Sequence, residues 1–256
     1  MTDDALHRVL VKVSAWTGPA MTVLFLIGAV PLANFFVPPY SAQHSPSEVA
    51  RMYVDNLTGI RLGCVVMCVA AALFLPFGLS IAAATRRSDP AGVLLSWIQV
   101  ASVAVATIVI VLIPIFWGIG TYRAGAVSPE ITQTWNDAGW FGVLFAVPPF
   151  SLWCLAITVA VLRGGPQRAQ LPRWVGYLNL WAAILFVPAM MMIFFKTGPF
   201  AQNGVLTFWM PVAVFFAWIV TMALVVVRAA DQPPSNLTDD ADQRSTTVGS
   251  QQIRTK

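Results

Sequence analysis

Residues 92–120 read GVLLSWIQVASVAVATIVIVLIPIFWGIG, an apolar run without a single charged side chain. A helix needs about 20 mainly apolar residues to cross a bilayer, and this stretch exceeds that length. It shows no alternation of period two, so it does not read as a barrel strand. Only helices and closed barrels satisfy every backbone group in hydrocarbon, which makes this segment a spanning helix. The same reading gives further spans near 14–36, 58–84, 139–162, 174–195 and 204–227, six in all.

Composition agrees. Hydrophobic residues make up 57% of the chain and charged ones 10%, against about 25% charged in soluble domains. Mean hydropathy is +0.72. The charged side chains are too few to coat a soluble domain of 256 residues. The expected fold class is therefore all-α, a polytopic bundle of six transmembrane helices. Residues 1–13 precede the bundle, 14–228 form it, and 229–256 follow as a polar tail expected to be disordered, since it is too poor in large apolar residues to bury a core.

Basic residues divide unevenly between the two faces. Arg8, Lys12, Arg86, Arg87, Arg163, Arg168, Arg173, Arg228, Arg244, Arg254 and Lys256 lie on one side, eleven of the fifteen. Arg51, Arg61, Arg123 and Lys196 lie on the other, beside Glu48, Asp55, Glu130 and Asp137. The positive-inside rule then expects both termini in the cytoplasm, in a multi-pass protein of the cell membrane. The net charge of +4 has its source in those inner segments. No basic run or basic–aromatic stripe points to nucleic acid as a partner. The first apolar run outlasts the core of a signal peptide and lacks a small-residue cleavage site, so it reads as an uncleaved helix.

Every span carries proline: Pro31, Pro76, Pro114, the pair Pro148-Pro149, Pro188 and Pro211. Each removes a backbone donor and kinks its helix. Pro31, Pro114, Pro188 and Pro211 fall toward the outer face, where kinks either shape the bundle or splay it into a vestibule. Two outer segments could fold over such a mouth. The first, 38–57, contains Ser45-Pro46-Ser47-Glu48, a helix-start pattern, followed by Val49, Met52, Tyr53 and Leu57 at helical spacing. That spacing suits a short helix lying on the membrane surface. The second, 121–138, repeats the start signal in Ser128-Pro129-Glu130 and ends in Trp135-Asn136-Asp137.

The candidate site is an outer vestibule rimmed by Arg61, Arg123, Asp137 and Lys196, with Trp135 or Trp140 on its wall. The alternatives for these groups are snorkelling cations and tryptophans anchored at the headgroups. Asp55, Glu130 and Asp137 are the natural partners for the cations. Gly59-x-x-x-Gly63 offers a close-approach face to a neighbouring helix.

No catalytic or metal-ligating constellation is legible. His7 and His44 face opposite sides, and Cys64, Cys68 and Cys154 sit in apolar runs without metal-ligand spacing. No nucleophile elbow, zinc motif or phosphate loop occurs. No cofactor is expected.

The stretch from Asp55-Asn56 to Arg61-Leu62-Gly63 and the run Leu171-Pro172-Arg173-Trp174-Val175-Gly176 resemble a family of six-span bacterial, mainly actinobacterial, integral membrane proteins of unknown function. The resemblance covers roughly residues 15–228 and implies a fold without an activity. Three functions fit these readings: a non-catalytic accessory or scaffold protein of the envelope, a carrier or binder of an amphiphilic small molecule, and a membrane enzyme using external carboxylates such as Glu130 and Asp137. The corresponding partners are the lipid bilayer with another membrane protein or an amphiphilic ligand.

Overall fold

The computed structural model describes residues 2–88, 92–163 and 171–231. The expected disorder of the tail lies outside the described residues from 232 onward. Six helices are long and apolar enough to cross a membrane: Asp3–Leu32, Leu57–Arg86, Val93–Tyr122, Pro129–Arg163, Arg173–Ile193 and Val205–Ala230. They contain α1 (Asp3–Ile27), α3 (Leu57–Ala72) and α4 (Phe74–Ser88), α5 (Val93–Tyr122), α6 (Pro129–Leu144) and α7 (Pro148–Arg163), α8 (Arg173–Phe186), and α9 (Met210–Ala230). A short α2 (Pro46–Asp55) joins the first two spans. No strand occurs among the described residues. The protein is an all-α, multi-pass membrane protein, as its apolar runs require. Large apolar side chains such as Val65, Leu94, Ile108 and Trp181 stay exposed around the bundle, where lipid replaces water as solvent.

The spans form a ring in chain order. Each packs on the next, and α9 closes the circle against α1. One face carries Thr2 and Asp231 and is called here the terminal face; the other carries 33–56 and 123–128 and is called the loop face. Across the terminal half, α4 lies at the centre, packed on α1, α5, α7 and α9. Two glycines permit this: a Cβ on Gly78 would stand 2.1 Å from the Val103 side chain, and one on Gly18 would stand 2.6 Å from the Phe77 ring. Trp153 and Trp218 fill the space beside Phe77, their rings 5.0 Å apart. Lys12, in the first half of α1, pairs with Asp231 just past α9, tying the first span to the last.

Polar side chains buried within the spans join neighbouring helices. Trp218 donates its indole N–H to Asn179 Oδ1 at 3.0 Å, from α9 to α8. Thr85 bonds Gln99 at 3.1 Å between α4 and α5, and Thr158 donates to the Gly176 carbonyl at 3.1 Å between α7 and α8. Thr85, Thr158 and Asn179 also bond carbonyls of their own helices, so each contact ties two neighbouring helices at a fixed register.

The first helix extends the apolar run back to Asp3, with Asp3 and Asp4 in its first turn, where acids favour the helix dipole. Two expectations need correction. The helix start at Ser128-Pro129 opens no separate surface helix; α6 runs unbroken from there into the membrane because Thr132, Asn136, Gly139 and Trp140 give it a buried face. And α2 does not lie alone on the surface. Val49 and Tyr53 bury its apolar stripe, and the helix packs on α6. Its start is as read: Ser45 and Glu48 form a reciprocal capping box ahead of Pro46.

Candidate functional site

In the loop half, four spans leave α-helical geometry. The first ends in a π-helical turn, Gly28–Leu32, that holds Pro31, and Asn34 then reverses the chain with φ 56°. The fourth breaks at 145–147, ahead of Pro148-Pro149. The fifth tightens into a 3-10 segment, Val187–Ile193, holding Pro188. The sixth starts with a π-helical turn, Val205–Trp209, ahead of Pro211. Proline accounts for most of this, because its missing N–H and its ring both oppose the α-helical ladder. The kinks expected from Pro31, Pro188 and Pro211 are thus realised as changes of helix type, whereas Pro114 sits inside an unbroken α5.

Two of these irregular segments, the break of the fourth span through Ala146 and Val147 and the 3-10 segment of the fifth through Ala189, line an apolar cavity of about 90 Å³. Phe25 of α1, Ile113 of α5, Ala189 of the 3-10 segment and Phe215 of α9 form four of its sides. Gly142, Val143, Leu144, Ala146 and Val147, at the break of the fourth span, form another. Val143, Ala146, Val212 and Phe216 are only partly buried, so the space is a cleft reaching the bundle's flank rather than a sealed void.

Toward the loop face an aromatic plug covers the cavity. Phe36, which also lines it, lies 5.8 Å from the Trp140 ring and 5.3 Å from the Phe208 ring, the latter edge-on. Trp117 meets Trp140 at 5.6 Å and donates its N–H to the Asn136 carbonyl at 3.2 Å. Tyr40 stacks on Trp140, and Tyr53 donates to Asn136 Oδ1 at 3.2 Å. Burial pushes the Tyr40 hydroxyl up to about 12, against the opposing effect of the Gln133 side chain, and pushes Tyr53 well above the usual phenol value. Both remain neutral phenols near pH 7, suited to holding the plug together rather than to proton transfer.

None of the six residues expected to form the vestibule lines this cavity. Arg61 reaches across to α5 and donates to the Thr121 carbonyl at 3.0 Å instead of meeting an acid. Asp55, its expected partner, lies 3.9 Å from Arg51. Arg123 and Lys196 are exposed; Lys196 acts on the half-buried Asp137 through space, without an ion pair between them. Asn136 also lies 3.5 Å from Asp137. Trp135 packs on Phe116, and Trp140 is wholly buried in the plug. The structure thus brings Asp137 and Lys196 near one another and joins Arg61 to the end of α5, beside Arg123. Glu130 and Asp137 stand roughly 10 Å apart along α6 by helical rise, too far to share a proton. No group of three potential metal ligands occurs among the described residues, and Cys64, Cys68 and Cys154 are free thiols.

The residues that build the cavity carry no charge and come from separate spans, so no local pattern marks them. The one visible signal is Pro148-Pro149 six residues after Gly142.

Fold and cavity together define a polytopic α-helical membrane protein with an apolar cleft inside its spans. No protein-family model, curated protein or solved structure matches the chain.

Proposed function

We propose that the protein binds an amphiphilic small molecule in the cleft between its first, third, fourth, fifth and sixth spans, acting as a carrier or receptor for it rather than as an enzyme. One observation carries this reading: the irregular segments of the fourth and fifth spans open onto one apolar cavity that five spans line together. Irregular backbone at membrane depth is costly and persists where it is buried in protein or lines a cavity. Mid-helix 3-10 stretches and broken helices recur at functional sites for the same reason. The division of basic residues supports an orientation with both termini in the cytoplasm and the loop face outside.

Native mass spectrometry of the protein released from lipid nanodiscs tests the binding reading. An apolar species retained by the wild type and lost on Ala189→Phe, which fills the cavity from the 3-10 segment, is the expected result. Absence of any retained species, or equal retention by both proteins, would overturn it and leave the accessory role as the better reading.

A further inference from the structure

The breaks in the spans differ in how their backbone groups are satisfied. Where the first span ends, Asn56 donates to the Leu32 carbonyl at 2.9 Å and to that of Ala33 at 3.4 Å. Between α3 and α4, Thr17 donates to the Leu73 carbonyl at 2.8 Å. In the fifth span Val187 N–H turns to Ile184 as the helix tightens, and Ser151 donates to the Ala183 carbonyl at 3.0 Å. Each of these breaks has a side chain that supplies a missing donor.

The break of the fourth span has none. Pro148 and Pro149 lack the N–H groups that would serve the Leu144 and Phe145 carbonyls. Val147 N–H bends back to Phe145 at 2.8 Å, while Phe150 and Ser151 both donate to Val147. No donor among the described residues reaches the carbonyls of Gly142, Val143, Leu144 or Ala146. All four of these residues line the cavity. Every side chain around it is hydrocarbon apart from the Met21 thioether, so its hydrogen-bonding capacity is backbone: four unserved carbonyls at the end of α6 against the one unserved N–H, that of Ala146. The helix dipole adds partial negative charge at the same end.

We infer that the cleft selects a ligand with a hydrogen-bond-donating hydroxyl on an apolar body, an apolar alcohol, whose O–H binds the free carbonyls at the C-terminal end of α6. This rests on the binding reading above and adds its chemistry. An apolar body without a donor would leave the carbonyls unpaired in a dry site. A carboxylate or phosphate would place negative charge against carbonyl oxygens. A permanent cation would have to leave water for phenylalanine and valine walls.

The test compares 1-dodecanol with its methyl ether, which keeps the chain and loses the donor. Affinities for the nanodisc-embedded protein are measured by native mass spectrometry and by the shift in thermal unfolding. The alcohol is expected to bind about ten-fold more tightly than the ether, the difference one net hydrogen bond makes. In the double variant Pro148→Ala with Pro149→Ala, the helix regains N–H groups for its own carbonyls, and the preference should fall to about one-fold while ether binding persists. Should that variant fail to fold, infrared spectra of the wild type labelled with ¹³C at the Leu144 carbonyl decide: its amide band should shift with the alcohol and stay fixed with the ether. Equal binding of both probes, or an unmoved carbonyl band, overturns the hydroxyl preference and leaves the binding reading intact. Binding of neither probe overturns both.

Discussion

Gly28 and Gly63 meet backbone to backbone: a Cβ on Gly63 would stand 2.5 Å from the Gly28 carbonyl oxygen, and one on Gly28 would stand 2.8 Å from the carbonyl oxygen of Gly63. This contact seats the π-turn of the first span on α3. Gly59, one turn earlier, approaches the Leu32 carbonyl in the same way, so the Gly59-x-x-x-Gly63 face is used along its length. Gly63→Ala must therefore push two backbones apart. It is expected to cost roughly 1–3 kcal/mol, the range for overpacking a tight site. Gly118→Ala is the control, since a Cβ there meets nothing nearer than Cys64 at 4.0 Å. Unfolding curves in mixed detergent should separate the two variants; equal stabilities would refute the contact.

A second prediction concerns the hydrogen bond between Trp218 and Asn179. Asn179 is wholly buried, and its Nδ2 also donates to the Val175 carbonyl of its own helix at 2.8 Å. Asn179→Leu keeps the volume and strands the Trp218 N–H. We expect a loss of about 1 kcal/mol, typical of a polar contact between membrane helices. Combining it with Trp218→Phe should recover part of that loss, because no donor is then left unpaired. Strictly additive losses in the double variant would mean the two side chains do not communicate.

The contrast between these glycines and the charged rim shows what was legible in the chain. Apolar runs state the six spans directly, since bilayer thickness imposes a length that no short motif can imitate. Gly59-x-x-x-Gly63 and the start at Ser45-Pro46 were readable because their partners lie on the next helix or the next turn. Arg61, Arg123, Asp137 and Lys196 drew attention because charge is conspicuous in so apolar a sequence. Their positions depend on how far each helix extends past the apolar band, which no spacing records. The cavity escaped for the opposite reason. Gly142, Ala189 and Phe215 are ordinary membrane residues, and only the packing of separate spans makes them neighbours. Pro148-Pro149 announced a bend without showing that the freed carbonyls would go unserved.

Acid should loosen α2 selectively. Hydrogen bonds from the Ser45 N–H and hydroxyl hold the exposed Glu48 carboxyl below its usual value. A carboxyl depressed in the folded state stabilises fully above its unfolded value of 4.5, and that contribution disappears as pH falls through the folded value. Amide exchange at Val49 and Arg51 should therefore quicken relative to the spans as pH drops below about 4.5, after correction for intrinsic rates. Glu48→Gln should exchange with much less pH dependence in that window. Unchanged behaviour between the two proteins would show that the Glu48 charge contributes nothing to the helix, since glutamine keeps the capping box.

The orientation can be read chemically, because the chain's own thiols, Cys64, Cys68 and Cys154, lie within the spans and two of them are buried. With both termini cytoplasmic, a cysteine introduced at Ser128 faces outward. Ser128 is the exposed residue that precedes α6, so labelling there requires no local opening. An impermeant maleimide should modify Ser128→Cys in intact cells, while Thr2→Cys, at the start of α1, should react only after the membrane is permeabilised. The reverse pattern would invert the protein and place the basic residues outside. Because the cleft lies in the loop half of the bundle, the same result fixes which leaflet it opens toward. Outward labelling at Ser128 would put the unpaired carbonyls of α6 within the outer half of the bilayer. A ligand whose hydroxyl reaches them would then have to enter from that side or be flipped to it.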